Sequence, residues 1–580
     1  MQNITASQFD PVVDSVQRLF SNRTYLDLFV VGFTIAITAL IRYASASNGL
    51  KLPPGPAPSF IVGNMNDIPV YEEWHTLNQW AKRFGEIVYL RVFGTKMLVI
   101  GSYRVANELL DKRGAIYSDR PITPPMMEMA GFANSLTVMG NNADYRLRRR
   151  LFEQHFRYSV IDRHQPTQIR ETHKLLRKYI EAPENWLLDT KYTIGAIILD
   201  IVYGYRVTSD RDEWVEIGER AGTNFQRSVK PGAWAVDVLP FLRYVPTWFP
   251  FTGWKTFALD STERRKIQVD GAFELVKKAM KEGTAHPSMV SRYLEENENG
   301  GDIPEVAIMD MASDAYGGGV ETTLSSIYGF LLQMTKHRSI QQKAQAELDR
   351  VCPDRLPTFD DRKNLPYIEA IAIEVGRWHP GVPQGIAHRL EKDDEFEGQF
   401  LPKGSLVIPN IWGMCHDEGT YKSADVFDPD RFMNAAGDAI NTSIHDPRQM
   451  VFGFGRRQCP GRAFAESQLF FTMALILKVF NVLPPLDAEG KEIMQPDAYR
   501  SGIVSVPKPF SCRIVPRSNA MAELLQYSNT FISLPRLHEL ESEWVQDLTA
   551  KKVSLSRIPR KEINFIRICV QKHTDTTQAC

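Results

Sequence analysis

Cysteine is scarce in this chain, and what is missing around it removes several classes at once. Six cysteines fall among 580 residues, none in a Cys-x-x-Cys pair, so neither a disulfide scaffold nor a zinc ribbon is encoded. No His-Glu-x-x-His pattern occurs, which removes a common zinc hydrolase motif. Neither sign of charge dominates: 68 Lys+Arg against 69 Asp+Glu leave a net −1, so bulk charge gives no pull towards nucleic acid. There is no convincing dinucleotide fingerprint and no internal repeat. The composition, 43% hydrophobic and 24% charged, is that of a folded globular chain, and the sparse cysteines fit a reducing compartment.

The N-terminal part holds a long apolar run, YLDLFVVGFTIAITALI from Tyr25 to Ile41, 17 residues with Asp27 as the lone charge. That is near the lower limit for a membrane span. A cleaved signal peptide competes, but about two dozen mixed polar residues precede the run where a short basic region would be required. The flanking charges do not orient the span. The expected organisation is an N-terminal tail over 1–24, a transmembrane anchor over 25–42 and a proline-rich hinge over 51–58. The hinge, Lys51 to Pro58, carries four prolines in eight residues, which forbids helix and stiffens the chain.

Residues 59–518 read as one mostly helical body with a small β region. Short apolar stretches at Ile87 to Val92 and Lys96 to Ile100 predict its first strands. The stretch Trp234 to Trp254 is rich in Trp and Phe, and Pro240, Pro246 and Pro250 prevent one straight helix. It is either a buried loop or one that dips into a membrane interface. Residues 519–580 form a C-terminal extension with an amphipathic pattern near Leu537 to Ala550 and no readable function.

Cys459 stands out. It lies in FGFGRRQCPG, Phe452 to Gly461, among Gly453, Gly455 and Gly461, which permit tight turns and close approach of a flat ligand. Pro460 follows and an apolar helix begins near Arg462, placing the sulfur just ahead of a helix N-terminus. The dipole, with Arg456 and Arg457, predicts a cysteine of low pKa. Three uses compete: an inert buried thiol, a nucleophile with a distant His, or an axial thiolate on haem iron.

The decapeptide resembles the haem loop of the cytochrome P450 family, Phe-x-x-Gly-x-Arg-x-Cys-x-Gly, through Phe452, Gly455, Arg457, Cys459 and Gly461. The resemblance covers about residues 51 to 518 and implies the P450 fold, with Cys459 as the axial ligand of haem b. A second motif agrees. Asp302, Pro304 and Glu305 mark the start of a helix running to about His337. In its middle, Gly317-Gly318-Gly319-Val320-Glu321-Thr322-Thr323 either breaks the helix or opens a groove in it. It resembles the family's distal-helix motif, which implies that Thr322 steadies oxygen and Glu321 delivers protons.

Glu374 and Arg377, three apart on one helix face, are by themselves an ordinary surface pair. By resemblance they join Arg431, from FDPDRF, in a buried structural triad. Arg457, His388, Arg149 and Tyr145 are by resemblance partners of the haem propionates, with Tyr145 standing where the family usually has Trp. Arg146, Arg148 and Arg150 read as a solvated basic face that can dock an acidic electron donor. Met126, Met127, Met129 and Phe132 read equally as a deformable apolar pocket or as core.

The resemblance implies a monooxygenase that inserts one atom of O2 into a lipophilic small molecule, in secondary metabolism or xenobiotic oxidation. Its electrons would come from a separate NADPH–cytochrome P450 reductase, so NADPH acts only indirectly. The anchor and hinge resemble the microsomal type and DRLPTFDDRKNLPYIEA, Asp354 to Ala370, the fungal one. The implied location is the endoplasmic reticulum membrane, single-pass, with the catalytic body cytosolic. That topology would put residues 1–24 in the lumen, where Asn3 and Asn22 stand in glycosylation sequons. Two other classes stay open: a haem-thiolate isomerase or dehydratase that uses no O2, and a non-catalytic haem-binding protein.

Overall fold

A computed structural model describes residues 49–519 except 122, 231 and 232, together with Asp27, Val30, Val31, Thr34, Met521 and Leu525. Residues 1–522 form one unit and 523–580 a second. The expected tail 1–24, the sequon residues Asn3 and Asn22, nearly all of the expected anchor 25–42 and nearly all of 520–580, including 537–550, lie outside the described residues. Among the described residues no helix is long and apolar enough to cross a membrane.

The body is mainly helical. Its longer helices are α1 (Glu73–Phe84), α2 (Ala143–Phe156), α3 (Gln165–Glu181), α4 (Trp186–Tyr203), α5 (Glu213–Val229) and α6 (Gly253–Lys266). There follow α7 (Ala272–Lys281), α8 (Met289–Glu298), α9 (Glu305–Lys336), α10 (Arg338–Val351), α11 (Pro366–Trp378) and α12 (Arg462–Val479). Two of them form the middle of the molecule. α12 is buried along most of its length, from Ala463 to Val479, because its sequence is apolar nearly all round. α9 has 32 residues and so runs roughly 48 Å. It is unbroken through Gly317–Gly319, although three helical glycines cost about 1 kcal/mol each. Burial of Ile308, Met311, Ala315, Ile327, Phe330 and Leu331 outweighs that, at about 1.5–3 kcal/mol for each large aliphatic or aromatic side chain.

The small sheet holds β1 (Ile87–Val92), β2 (Thr95–Ile100), β3 (His388–Arg389) and β4 (Leu406–Pro409), in the order β1-β2-β4-β3. β1 and β2 pair antiparallel with Ile87 opposite Ile100, close to the two stretches expected from alternation. β4 runs parallel to β2, and β3 pairs antiparallel with β4, setting His388 opposite Val407. The proline segment 51–58 lies along this sheet. The Pro54 carbonyl accepts from Tyr89 N–H, and the Lys51 carbonyl from Phe400 N–H. A Cβ on Gly55 would come within 2.0 Å of the Tyr89 carbonyl oxygen. The segment expected as a hinge thus gives one carbonyl to this sheet, at Tyr89, and one to the separate hairpin that carries Phe400.

Between Trp234 and Trp254 the prolines break the chain into short turns over Ala235–Val238 and Pro240–Tyr244. Met126, Met127 and Phe132 are fully buried. Met126 packs with Val236 and Ala258, and Met127 with Ala130 and Phe132, so these side chains are core.

Candidate active site

The haem-loop residues are held by their own backbone. Gly453 and Gly455 sit at φ 77° and 51°, and a Cβ on Gly455 would lie 2.5 Å from the Leu110 carbonyl oxygen. Only glycine fits both constraints. Cys459 N–H donates to the Phe452 carbonyl at 2.7 Å, which closes the loop. α12 begins at Arg462 with Gly461 as its N-cap.

Cys459 is enclosed by the fold, yet its side chain is exposed. An exposed side chain whose thiol is nonetheless desolvated borders a recess. The expected low pKa is not what the structure gives. Burial pushes the thiol up, against the Gly461 N–H and the positive charges of Arg149 and Arg462. Arg457, expected beside the sulfur, faces elsewhere. A lone cysteine in such a space suits an iron whose other positions are filled by a macrocycle, and the metal itself would draw off the thiol proton.

The space has a cationic edge. Arg457 donates through Nε to the Ser118 carbonyl at 2.7 Å and through Nη2 to the Met139 carbonyl at 2.9 Å. Its Nη1 is buried with no partner, and so is Nε of Arg120. Arg120 is itself fixed through Nη1 to the carbonyls of Ile386 and Ala387. Burial, and then the facing charge of Arg457, push Arg120 down to about 9. His388 donates from Nδ1 to the Tyr117 carbonyl at 2.7 Å, so its Nε2 is left for another partner. Burial and then Arg120 push its pKa far down. Asp119, the nearby acid, is taken by Arg389 and the Asn141 N–H. Two buried guanidinium groups and an imidazole without a counter-charge fit a dianionic edge such as the haem propionates.

Arg120 was not singled out in the sequence; Tyr145 and Arg149, which were, make these contacts. Tyr145 donates its hydroxyl to the Arg456 carbonyl at 3.0 Å and lies with its ring against the Arg457 guanidinium, 3.6 Å away. Arg149 donates to the Gln458 carbonyl and pairs with Glu153, lending its charge to Cys459. Arg148 does not belong to a solvated face: it is 6% exposed and pairs with Asp310 at 3.1 Å. Arg146 and Arg150 are exposed.

On the far side lies α9. Gly318 is exposed in the middle of this otherwise buried helix, and a Cβ on Gly317 or Gly318 would meet nothing within 4 Å. The link to the haem loop is short. Leu136 N–H donates to Asp314, one turn ahead of Gly318, while Met139 accepts from Arg457. Three residues span at most roughly 11 Å, so the segment Leu136–Met139 ties the glycine-bearing helix to the loop of Cys459 over a short stretch of chain. Thr322 donates its hydroxyl to the Gly318 carbonyl at 2.7 Å. Glu321 points to the neighbouring helix α5, where the Gln226 amide donates to it. Burial raises its pKa, Gln226 offsets part of that, and the charge of Glu219 adds to it. A charged cleft of about 690 Å³ opens beyond, lined in part by Lys191, Glu216, Glu219 and Thr223. Its charged walls suit water better than a lipophilic ligand.

Beneath the haem loop the structure brings Glu374, Arg377 and Arg431 together. Glu374 and Arg377 are wholly buried and form two hydrogen bonds of 2.6 and 2.8 Å. Arg431 stands 3.4 Å from the same carboxylate and otherwise holds the carbonyls of Lys422, Ser423 and Val426.

A slot with a single cysteine on one wall, a glycine-opened helix on the other and an unpaired cationic edge defines a haem-thiolate site. The chain belongs to the cytochrome P450 family, whose model matches residues 53–514. Relatives agree along nearly their whole length. Cytochrome P450 monooxygenase 208 of Postia placenta is 39% identical over 502 residues, 86% of this chain and 97% of the relative. Cytochrome P450 monooxygenase claR of Ampulloclitocybe clavipes is 38% identical over 482 residues, 82% and 88% of the two chains. Cytochrome P450 monooxygenase ppsD of Aspergillus oryzae is 36% identical over 510 residues, 86% and 96%. The chain is thus an oxidoreductase of the monooxygenase type. The family's cofactor is haem b, and its electrons come from a reductase.

Proposed function

We propose that this enzyme inserts one atom of O2 into a lipophilic small molecule of secondary metabolism or a xenobiotic, using electrons from a separate NADPH–cytochrome P450 reductase. The observation that carries this reading is the slot, with Cys459 open on one wall, Gly318 open on the other and Arg120 and Arg457 unpaired at its edge. Cys459 would hold haem b there, and the group would supply activation of O2. The protein's own part is charge and protons. Arg120, Arg457 and His388 would hold the propionates and balance their charge. Phe452, Gly455 and Gly461 shape the loop against the macrocycle. Arg149 and the Gly461 N–H stabilise the negative sulfur.

Thr322 and Glu321 move protons towards the groove. Burial raises the pKa of Glu321, which favours the protonated form that can donate. Its bond to Gln226 must open for the carboxyl to turn inwards, and the charged cleft beyond α5 can refill it from water. Glu374, Arg377 and Arg431 hold the floor and take no part in proton transfer.

Two surfaces support the cellular setting. Arg146 and Arg150, exposed on the helix that carries Arg149 to the haem loop, suit docking of an acidic reductase. Phe251, Trp248 and Tyr244 are 97%, 80% and 80% exposed, and Phe60 is 93% exposed. Such aromatics favour the membrane interface. With the apolar run at 25–42 as anchor and 51–58 as its junction with the body, the reading is a single-pass protein of the endoplasmic reticulum. Its catalytic domain is cytosolic, with Asn3 and Asn22 available for glycosylation in the lumen.

The test is co-expression with an NADPH–cytochrome P450 reductase, metabolite profiling, and repetition under isotopically heavy O2. One heavy oxygen atom in a new product, lost without NADPH, supports the reading. A product formed without O2 or reductase overturns it in favour of an isomerase or dehydratase.

A further inference from the structure

A second cavity, of about 270 Å³, lies between the end of α4, the start of α5 and α7. It shares no lining residue with the charged cleft beyond α5 and none with the haem loop. Its volume is at the small end for ligand pockets, which suits a compact group better than a drug-sized molecule. Tyr203, Tyr205 and Trp214 line it from the α4–α5 side, and Leu275 and Val276 from α7.

The rings are placed there by the backbone. Gly204 ends α4 at φ 68°, and a Cβ on it would lie 2.6 Å from the His286 carbonyl oxygen. Only glycine turns the chain in so little room, which sets Tyr203 and Tyr205 on either side of a tight corner. Trp214 follows the N-cap Asp212 and packs on Gly271, where a Cβ would fall 2.8 Å from its ring. Gly271 closes a π turn over Ile267–Gly271, a form frequent at functional sites. The Tyr205 and Trp214 rings stand edge to face, 6.5 Å apart at 64°.

The electrostatics of this corner favour a cation. The N–H groups of Gly204 and Tyr205 turn back to Asp200 and Leu199. The carbonyls of Ile201, Val202 and Tyr203 therefore have no helical donor, at the negative end of an 18-residue helix. Aromatic faces are negative as well. Tyr205 donates its hydroxyl to Asp212 at 2.9 Å, so a buried carboxylate backs that ring. Lys278 and Glu282, both largely exposed, stand 4.0 Å apart and offset one another. A primary ammonium is strongly hydrated and loses its water bonds among such rings. A methylated ammonium has fewer to lose and is the usual guest of an aromatic cage.

We infer that this cavity binds a quaternary or methylated ammonium group, at a site separate from the haem. The experiment titrates the full-length haem protein with choline and with its neutral isostere 3,3-dimethylbutan-1-ol, by calorimetry and by saturation transfer to the ligand methyl groups. Choline binds about tenfold or more tightly than the isostere. Trp214→Leu weakens choline about tenfold, and Trp214→Phe, which keeps a ring, by less than about threefold. Equal affinity for the two probes overturns the inference. So does an absence of choline binding up to about 50 mM, or an undiminished affinity in Trp214→Leu. If Trp214→Leu fails to fold, Ala279→Phe decides. It fills the cavity from a half-buried lining position on α7, so choline binding is lost if the inference holds and kept if it is wrong. Phosphocholine tells the two sources of such a group apart. Affinity close to that of choline points to a lipid headgroup, affinity about tenfold lower points to a free cation, and both agree with the inference.

Discussion

Two buried arginine sites lie on either side of the haem loop, and they are built in opposite ways. In the floor, all five N–H groups of Arg377 are spent, on Glu374 and on the carbonyls of Cys415, Ala424 and Val426. At the slot edge, Arg120 and Arg457 each keep one buried donor unpaired, and no free acid stands beside them. Burying a charge without a partner is costly. A fold that closes one such site and leaves the other open has kept the second for something that binds. Arg148 and Arg265 also each keep one buried donor unpaired, but Asp310 stands beside both, so it is the missing counter-charge that sets the slot edge apart.

The largest effect should come from opening the closed site. Arg377→Ala strands Glu374, and removing one partner of a buried pair costs about 3–5 kcal/mol. Expression should yield no folded haem protein, which circular dichroism and the haem spectrum would show. Arg120→Leu, an equally drastic change at a buried arginine, should leave the apoprotein close to wild-type stability in urea. Its lost charged hydrogen bond, worth about 1.5–3 kcal/mol, should appear instead as faster haem transfer to apomyoglobin. Equal destabilisation by both variants would erase the distinction between the sites.

Asp314 offers an intermediate case, a half-buried acid of α9 that accepts the Leu136 N–H at 2.6 Å. Burial pushes it up to about 6, against about 3.9 in the unfolded chain. The folded state therefore holds a proton that the unfolded state has released. Stability from this group is full below about pH 4 and is lost as pH rises through about 6. Denaturation midpoints should show that fall in the wild type and lack this component in Asp314→Asn. The smallest effect belongs to the floor again, at a position its contacts do not use. A Cβ on Gly376 would meet only Val451, at 4.0 Å. Gly376→Ala should therefore raise stability by up to about 1 kcal/mol, the helix propensity gain, with the haem spectrum unchanged.

The sequence was most legible where function forces fixed spacing. The loop around Cys459 and the unbroken α9 follow from local motifs in order along the chain, whereas the meeting of Glu374, Arg377 and Arg431 was expected only from the family resemblance. It was least legible where partners are far apart. Arg120 is buried because Asp119 bridges to Arg389 and because the carbonyls of 386 and 387 reach it, and nothing near Arg120 in sequence announces that. The low pKa expected at Cys459 came from its helix N-terminus, and burial outweighed it. Arg148 is a different kind of miss. It shares a helix face with Tyr145, Phe152 and His155, all buried, so the helical period held the signal that its charge obscured. Tyr145 shows that a side chain can be placed correctly beside the site while its hydroxyl finds a different partner.

The central claim is that the sulfur of Cys459 is the axial ligand of the haem iron. Its most direct test is the absorption spectrum of the dithionite-reduced carbon-monoxide complex in the wild type and in Cys459→Ser, with iron and porphyrin quantified in both. The account predicts the long-wavelength Soret band of a thiolate-ligated haem in the wild type and its loss in the serine variant. Persistence of that band in Cys459→Ser, or a wild-type protein that purifies with no porphyrin after expression with ample haem, would contradict it.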